Sequence, residues 1–206
     1  MSATAAESTR VDESRHDTRR RLIDVAVELF TRHSFAGTSL QMIADELGFT
    51  KAAIYHHFRS REQLLDAVVE PILQRLRTVI AEAEQLRGAH VRADHLLNGF
   101  AELAVENRVV SVLAADPAVA EMLRGRREWD ALIERQMALL ADVDPGPAGH
   151  VKAAVVLAGI AGASGPAFAD LDPVTLRAHL VEAGRRTLGL RVARAARGGP
   201  DVITTA

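Results

Sequence analysis

The sequence predicts an all-α fold of about nine helices. Apolar residues recur at helical spacing along most of the chain, and few segments show the alternation of a β-strand. Proline and glycine fall between the periodic segments or near their ends, where helices start and stop. Of the 206 residues, 48% are hydrophobic and 25% are charged, which is typical of a globular protein.

Helix boundaries are indicated by capping residues and helix breakers. Pro117, Pro147 and Pro173 each suit the first turn of a helix, where a backbone N–H is not needed. Pro71 falls inside the longest helical segment and should kink it. The predicted helices span approximately residues 17–33, 39–47, 51–58, 60–86, 91–114, 117–141, 147–168 and 173–190.

Two short helices meet at a three-residue turn within the sequence SLQMIADELGFTKAAIYHHF, residues 39–58. We expect Thr38 to cap the first helix, since Gln41 follows three residues later as in a capping box. Gly48 suits a left-handed helix stop, and Thr50 can cap the next helix. A connection this short, with a glycine, is what a helix-turn-helix requires.

The second of these helices has an inward and an outward face. Ile54 and Phe58 are spaced to anchor it, which turns its other side outward, with Ala52, Ala53, Tyr55 and His56. Lys51 lies in its first turn, and the small alanines would allow close approach to a major groove. The same pattern also fits an ordinary helical hairpin with a solvated face, so the spacing leaves both interpretations open.

The residues around this segment resemble the amino-terminal part of TetR-type transcriptional regulators. The similarity runs from about Arg21 to Val68 and includes LIDVAVELF, the Gly-Thr-Ser at 37–39, and IADELGFTKAAIYHHFRSREQLLDAV. The block Ile-Tyr-His-His-Phe followed by Ser-Arg-Glu is its most specific part. The resemblance covers about a quarter of the chain and favours DNA binding over the helical hairpin.

The resemblance implies DNA contacts for ten residues on and around the two short helices. They are Ser39, Gln41, Thr50, Lys51, Ala52, Ala53, Tyr55, His56, His57 and Arg61. Residues 50–53 would face the major groove, and Arg61, at a position usually held by lysine, would clamp a phosphate. Many relatives have glycine in place of Ala52 and a polar residue near Ala53, so base recognition should depend more on Lys51, Gln41 and DNA shape.

The resemblance also implies the domain organisation. We expect a disordered tail at residues 1–16, a three-helix DNA-binding domain at 17–62, a larger helical effector-binding and dimerisation domain at 63–190, and a loose tail at 191–206. The last two helices, 147–168 and 173–190, would form a homodimer interface. The first is rich in alanine and glycine, which permit close helix packing, although burial within one subunit would explain them equally.

A small-molecule pocket would lie among the middle helices, where apolar residues recur at helical spacing. The candidate ligand-binding residues are His95, Asn98, Phe100, Met122, Trp129, Ile133 and Met137. Such stripes also form ordinary cores. If they line a pocket, its few polar groups favour a hydrophobic effector. The sequence thus predicts a ligand-responsive regulator, most simply a repressor released from a palindromic operator by its effector.

Other classes of protein are disfavoured. The sequence contains no cysteine, which excludes disulfides and thiol chemistry and fits a cytoplasmic protein. We expect no metal, cofactor or catalytic residue. We also expect no membrane-spanning helix, since the longest uncharged run, 153–169, is too short to cross a bilayer comfortably. A ligand-independent DNA-binding activator or architectural protein remains an alternative, and a helical-bundle enzyme is a more remote one, since Glu13 and His16 form the sole Glu-x-x-His pair.

Overall fold

The computed structural model describes the backbone of residues 3–190 except 108, 110 and 112–114, and the side chains of the same residues from 16 onward except 166. The described residues form nine α-helices, one 3₁₀ turn at Pro166–Phe168 and no strand. The helices are α1 (Ala3–Gly37), α2 (Leu40–Glu46), α3 (Lys51–His57), α4 (Arg61–Gln85), α5 (Ala89–Glu106), α6 (Pro117–Leu123), α7 (Arg127–Ala141), α8 (Pro147–Ala163) and α9 (Pro173–Leu188).

Helix α1 begins well before the predicted start near Asp17. The backbone is helical from Ala3, in the stretch for which the sequence suggested a disordered tail. Residues 3–16 contain alanine, glutamate and arginine but no proline or glycine, so nothing in them prevents the helix from extending. The predicted tail at 191–206 lies outside the described residues. Near the other end of α1 the backbone leaves helical geometry at Ser34 (φ 65°, ψ 166°), inside the predicted break.

Three other helix boundaries differ from the prediction. The predicted helix over 117–141 is divided into α6 and α7, because Gly125 takes a left-handed conformation (φ 79°) between them. Helix α5 ends at Glu106, since the backbone of Asn107 (φ −118°, ψ 76°) is no longer helical. Helix α8 ends at Ala163, shortly before Pro166, which lacks the N–H needed to continue it.

The buried side chains form two clusters that share helix α4. The first joins α1, α2 and α3 to the first half of α4 and includes Val119 and Leu123 of α6. The second joins the other half of α4 to α5, α7, α8 and α9. Pro71 lies on α4 between the residues buried in the first cluster and those buried in the second. Helix α4 continues through Pro71 without interruption. No helix in the described part of the chain is long and apolar enough to cross a membrane.

Candidate nucleic-acid interface

Helices α2 and α3 are each started by a hydroxyl cap. The Ser39 Oγ accepts a hydrogen bond from the Met42 backbone N–H at 3.1 Å, and the Thr50 Oγ1 accepts one from the Ala53 N–H at 3.2 Å. Between the helices, Gly48 has a φ of 66°, the left-handed conformation expected of it. The predicted turn and the Thr50 cap are therefore confirmed.

The cap of α2 is Ser39 and not Thr38, so that prediction was wrong. Thr38 is almost completely buried, and its hydroxyl lies 2.8 Å from the Ser34 carbonyl oxygen and 3.2 Å from that of Leu29. Gln41 does not complete a capping box. Its side-chain amide donates instead to the Asp45 carboxylate at 2.7 Å.

Helix α3 is anchored on one side and open on the other. Ile54 and Phe58 are buried in the first cluster, as their spacing predicted. The side chains of Lys51, Ala52 and His56 are exposed, and Tyr55 is 44% exposed despite its ring. Ala53 and His57 are partly buried. The outward face therefore carries one cation, small methyl groups and flat polar rings, with no acidic side chain in the helix.

Two ring contacts order the outward face. The Lys51 Nζ lies 5.7 Å from the centre of the Tyr55 ring, within cation–π range. The His56 and His57 rings pack edge to face with centres 5.5 Å apart. None of the ion pairs among the described side chains involves Lys51, so its charge is held over the ring without being neutralised.

Arg61 lies at the start of α4 but its guanidinium faces the protein. Its Nη1 lies 3.0 to 3.2 Å from the carbonyl oxygens of Phe35, Ala36 and Thr38, and its Cζ is 5.1 Å from the centre of the Phe35 ring. Arg61 thus holds the turn that precedes α2. This arrangement gives the side chain a structural role, whereas the resemblance assigned it to a phosphate.

The start of α4 is capped by the side chains of Ser60 and Gln63. The Ser60 Oγ accepts from the Gln63 backbone N–H at 3.3 Å, and the Gln63 side chain accepts in return from the Arg59 N–H at 2.9 Å. The backbone N–H of Glu62 and the Ser60 hydroxyl stabilise the Glu62 carboxylate and lower its pKa. This tight cap fixes the end of the helix-turn-helix to the long helix.

The structure does not bring the candidate ligand-binding residues together. Phe100 and Met137 pack in the second cluster, whereas Met122 and Trp129 pack against the first. His95 pairs with Glu82 at 3.1 Å, the Asn98 amide donates to the Asp94 carbonyl at 2.7 Å, and Ile133 is partly buried on α7. A cleft of about 1120 Å³ lies between α1, α4 and the end of α5, and none of these seven residues lines it.

The family model of bacterial regulatory proteins of the tetR family matches residues 22–68, which contain α2, α3 and the cores of α1 and α4. Over this segment the chain is similar to the bacterial regulatory proteins of the tetR family. The matched proteins are described as regulators, so the comparisons do not support the helical-bundle enzyme considered from the sequence.

Two curated relatives show how far the sequence similarity extends. The HTH-type transcriptional regulator UidR of Escherichia coli K12 is 27% identical over 117 residues, 53% of this chain and 58% of its own. The nucleoid occlusion factor SlmA of Colwellia psychrerythraea is 35% identical over 91 residues, 41% of this chain and 44% of its own. The chain therefore spans less than two thirds of the length of either relative.

The fold extends further than the sequence likeness. The structure of the ketosteroid transcriptional regulator KstR2 of Mycobacterium tuberculosis aligns with a TM-score of 0.67, covering 84% of this chain and 93% of that one, at 17% identity. At this identity the match shows the shared architecture of an amino-terminal helix-turn-helix and a carboxy-terminal helical domain.

Sequence reasoning missed two kinds of residue near this interface. Arg19 and Arg21 on α1 lie against aromatic rings at either end of α3, and their place in a basic run was the available clue. Asp116, which precedes α6, accepts a hydrogen bond from the Phe35 N–H at 2.8 Å. No local pattern indicated that contact, because the two residues lie far apart in the sequence.

Proposed function

We propose that the protein is a transcriptional repressor that binds a palindromic operator as a homodimer and is released by a small hydrophobic molecule. The observation that carries the DNA-binding part is α3. This helix is fixed by Ile54 and Phe58, yet presents Lys51, Ala52 and Tyr55 to solvent. A rigid helix with an exposed cation at its first turn and no acidic residue suits entry into a major groove.

Genome-wide mapping of bound DNA tests this function and supplies the operator. On a duplex carrying that operator, Lys51→Ala should weaken binding and reduce the preference over a scrambled duplex, because a base contact is lost. Arg87→Ala is a control for the loss of a cation, since Arg87 is exposed, follows the end of α4 and lies outside both α3 and the helices of the proposed dimer. Equal affinity of the unmodified protein for operator and scrambled duplexes would refute the proposal.

The dimer is supported by one face of α8. Val151 and Val155 are 63% and 56% exposed, and the alanines and glycines between them and Ala163 add further exposed apolar surface. A methyl group built on Gly159 or Gly162 would meet no atom within 4 Å in the single chain. An apolar face this open is typical of a surface that a second subunit covers.

Sedimentation velocity tests the dimer directly. Val155→Asp places a carboxylate in the proposed interface and should convert dimer to monomer, whereas Glu121→Gln on the exposed surface of α6 should not. A dimer would place its two recognition helices about 34–36 Å apart, on successive major grooves of one face of DNA. A monomeric unmodified protein at micromolar concentration would contradict this part.

The effector response is supported by the way α4 joins the two clusters. The helix carries buried residues of the helix-turn-helix core before Pro71 and of the second core after it. A ligand that moves one half of α4 would therefore displace the other. The structural neighbour KstR2 is described as a ketosteroid regulator, which agrees with a hydrophobic effector for this chain.

Pro71→Ala tests this linkage once an inducing extract fraction has been found. If Pro71 acts as a hinge, the substitution should change the ratio of operator affinities with and without that fraction, by part of a coupling of about 1–3 kcal/mol. An unchanged ratio would eliminate the hinge while leaving the rest of the function intact.

A ligand-independent DNA-binding activator or architectural protein is the second candidate, and the relative SlmA, described as a nucleoid occlusion factor, favours it. Titrating the operator complex with fractions of a cytoplasmic extract distinguishes the two. A repressor with an inducer should lose affinity in one fraction, whereas a ligand-independent protein should keep it in all of them. Either protein would work in the cytoplasm, where chromosomal DNA lies.

A further inference from the structure

Two arginines of α1 lie against the rings that flank the recognition helix. The Arg21 Cζ is 5.5 Å from the centre of the Phe49 ring, just before α3, and the Arg19 Cζ is 5.1 Å from the centre of the Phe58 ring, just after it. With Lys51 over Tyr55, three cations stand over three rings from one end of α3 to the other.

Neither Arg19 nor Arg21 is neutralised by a carboxylate. Both side chains are exposed, and none of the ion pairs among the described side chains involves them. Arg32, further along the same helix, differs, since it pairs with Glu28 at 3.0 Å and lies 4.0 Å from Glu46. Arg20, between them, is also exposed and outside these ion pairs, but it lines the cleft between α1 and α4. Arg19 and Arg21 are therefore the unpaired arginines among the described side chains of α1 that lie against the rings flanking α3.

Stacking on a ring holds a guanidinium without using its donors. A phenylalanine ring attracts the cation through its face but offers no lone pair, so the N–H groups at the edge of the guanidinium plane stay available. Arg61 shows the opposite case, because its Nη1 already faces three carbonyl oxygens. Arg19 and Arg21 are thus ordered cations with unused donors, which suits bidentate contact with phosphate.

We propose that Arg19 and Arg21 bind backbone phosphates of duplex DNA on either side of the groove that α3 enters. The contact would be independent of base sequence, and it assigns to α1 the phosphate-binding role that the resemblance gave to Arg61. This inference rests on the proposed function, since it requires α3 to face DNA. It predicts that part of the salt dependence of binding originates in α1.

The experiment measures the affinity of the full chain for a fluorescein-labelled mixed-sequence duplex of about 30 base pairs, long enough for two half-sites, over a range of NaCl concentrations. Each phosphate contact contributes about 0.9 to the slope of log affinity against log salt. Arg19→Gln and Arg21→Gln should each lower that slope by about 1.8 for a dimer, with similar losses on operator and scrambled duplexes. Arg32→Gln, which removes a paired charge from the same helix, should leave the slope unchanged.

Arg19→Lys and Arg21→Lys control for a folding defect in the glutamine variants. Because lysine keeps the charge, these variants should retain most of the slope of log affinity against log salt. Unchanged slopes in both glutamine variants, beside a steep slope for the unmodified protein, would overturn this inference alone. An equal loss in Arg32→Gln would also overturn it, since the effect would then reflect overall charge. A flat salt dependence for the unmodified protein would instead refute DNA binding itself.

Discussion

Asp116 is a buried carboxylate whose removal should loosen the contact between α6 and the turn that precedes α2. The residue is 8% exposed. One carboxylate oxygen accepts from the Phe35 backbone N–H at 2.8 Å, and the other caps α6 by accepting from the Ala118 N–H at 2.9 Å. One side chain therefore satisfies a buried donor of the first cluster and starts a helix that packs on that cluster.

The size of the effect follows from these two bonds. In Asp116→Ala the Phe35 N–H, on a residue that is 4% exposed, is left without its partner, which costs about 1–3 kcal/mol. Loss of the helix cap adds about 0.5–2 kcal/mol. The sum of about 1.5–5 kcal/mol corresponds to a fall in Tm of about 3–20 °C for a chain of this length.

Thermal unfolding followed by far-UV circular dichroism measures this, with Asp116→Asn as the matched comparison. Asparagine keeps one carbonyl oxygen, so it can still cap α6 but cannot also accept from Phe35 with its NH₂ group. The Tm of the asparagine variant should therefore fall by about half as much as the Tm of the alanine variant. A change of under about 1 °C in Asp116→Ala would refute the reasoning, since a buried N–H without a partner must destabilise the fold.

Three further predictions concern stability. Gly149→Ala should lower the Tm strongly, because the added Cβ would lie 1.9 Å from a backbone carbonyl oxygen. Gly159→Ala, on the same helix, should leave the Tm of the monomer unchanged or raise it. Gln136→Leu should raise Tm, since the Gln136 side chain is 2% exposed and its Nε2 has no hydrogen-bond partner; a lower Tm would contradict this. Arg135 donates two hydrogen bonds to Glu84 and lowers the pKa of that carboxyl. The stability that this pair contributes is therefore present at neutral pH and is lost as the pH falls below the ordinary value of 4.5. In urea titrations, the free energy of unfolding of Glu84→Gln should change less between pH 7 and pH 3 than that of the unmodified protein.

The helix-turn-helix was predictable because its determinants are local. The Thr50 cap, the left-handed Gly48 and the inward spacing of Ile54 and Phe58 all act within a few residues of one another. Each is a direct consequence of residue type and helical period, so the sequence was enough to place them. The same holds for the prolines that begin α6, α8 and α9.

The misplaced cap of α2 shows where local rules become ambiguous. Thr38 and Ser39 are adjacent and both can cap a helix, and the glutamine at position 41 favoured Thr38. The structure buries Thr38 against the carbonyls of α1 and leaves Ser39 to cap. Tertiary burial decided between two equivalent hydroxyls, and the sequence window around them contained no information about that burial.

The functions of Arg61 and Asp116 depend on contacts that join distant parts of the chain. Arg61 binds carbonyl oxygens up to 26 residues earlier, and Asp116 binds an N–H 81 residues earlier. Both contacts end on the same turn, residues 34–38, whose backbone is strained at Ser34. Because one anchor comes from α4 and the other from the start of α6, the position of α2 depends on both helices. Arg61, to which the resemblance assigned a phosphate contact, therefore serves the fold here, and under the proposed function the phosphate contacts would fall to cations that the fold leaves unpaired.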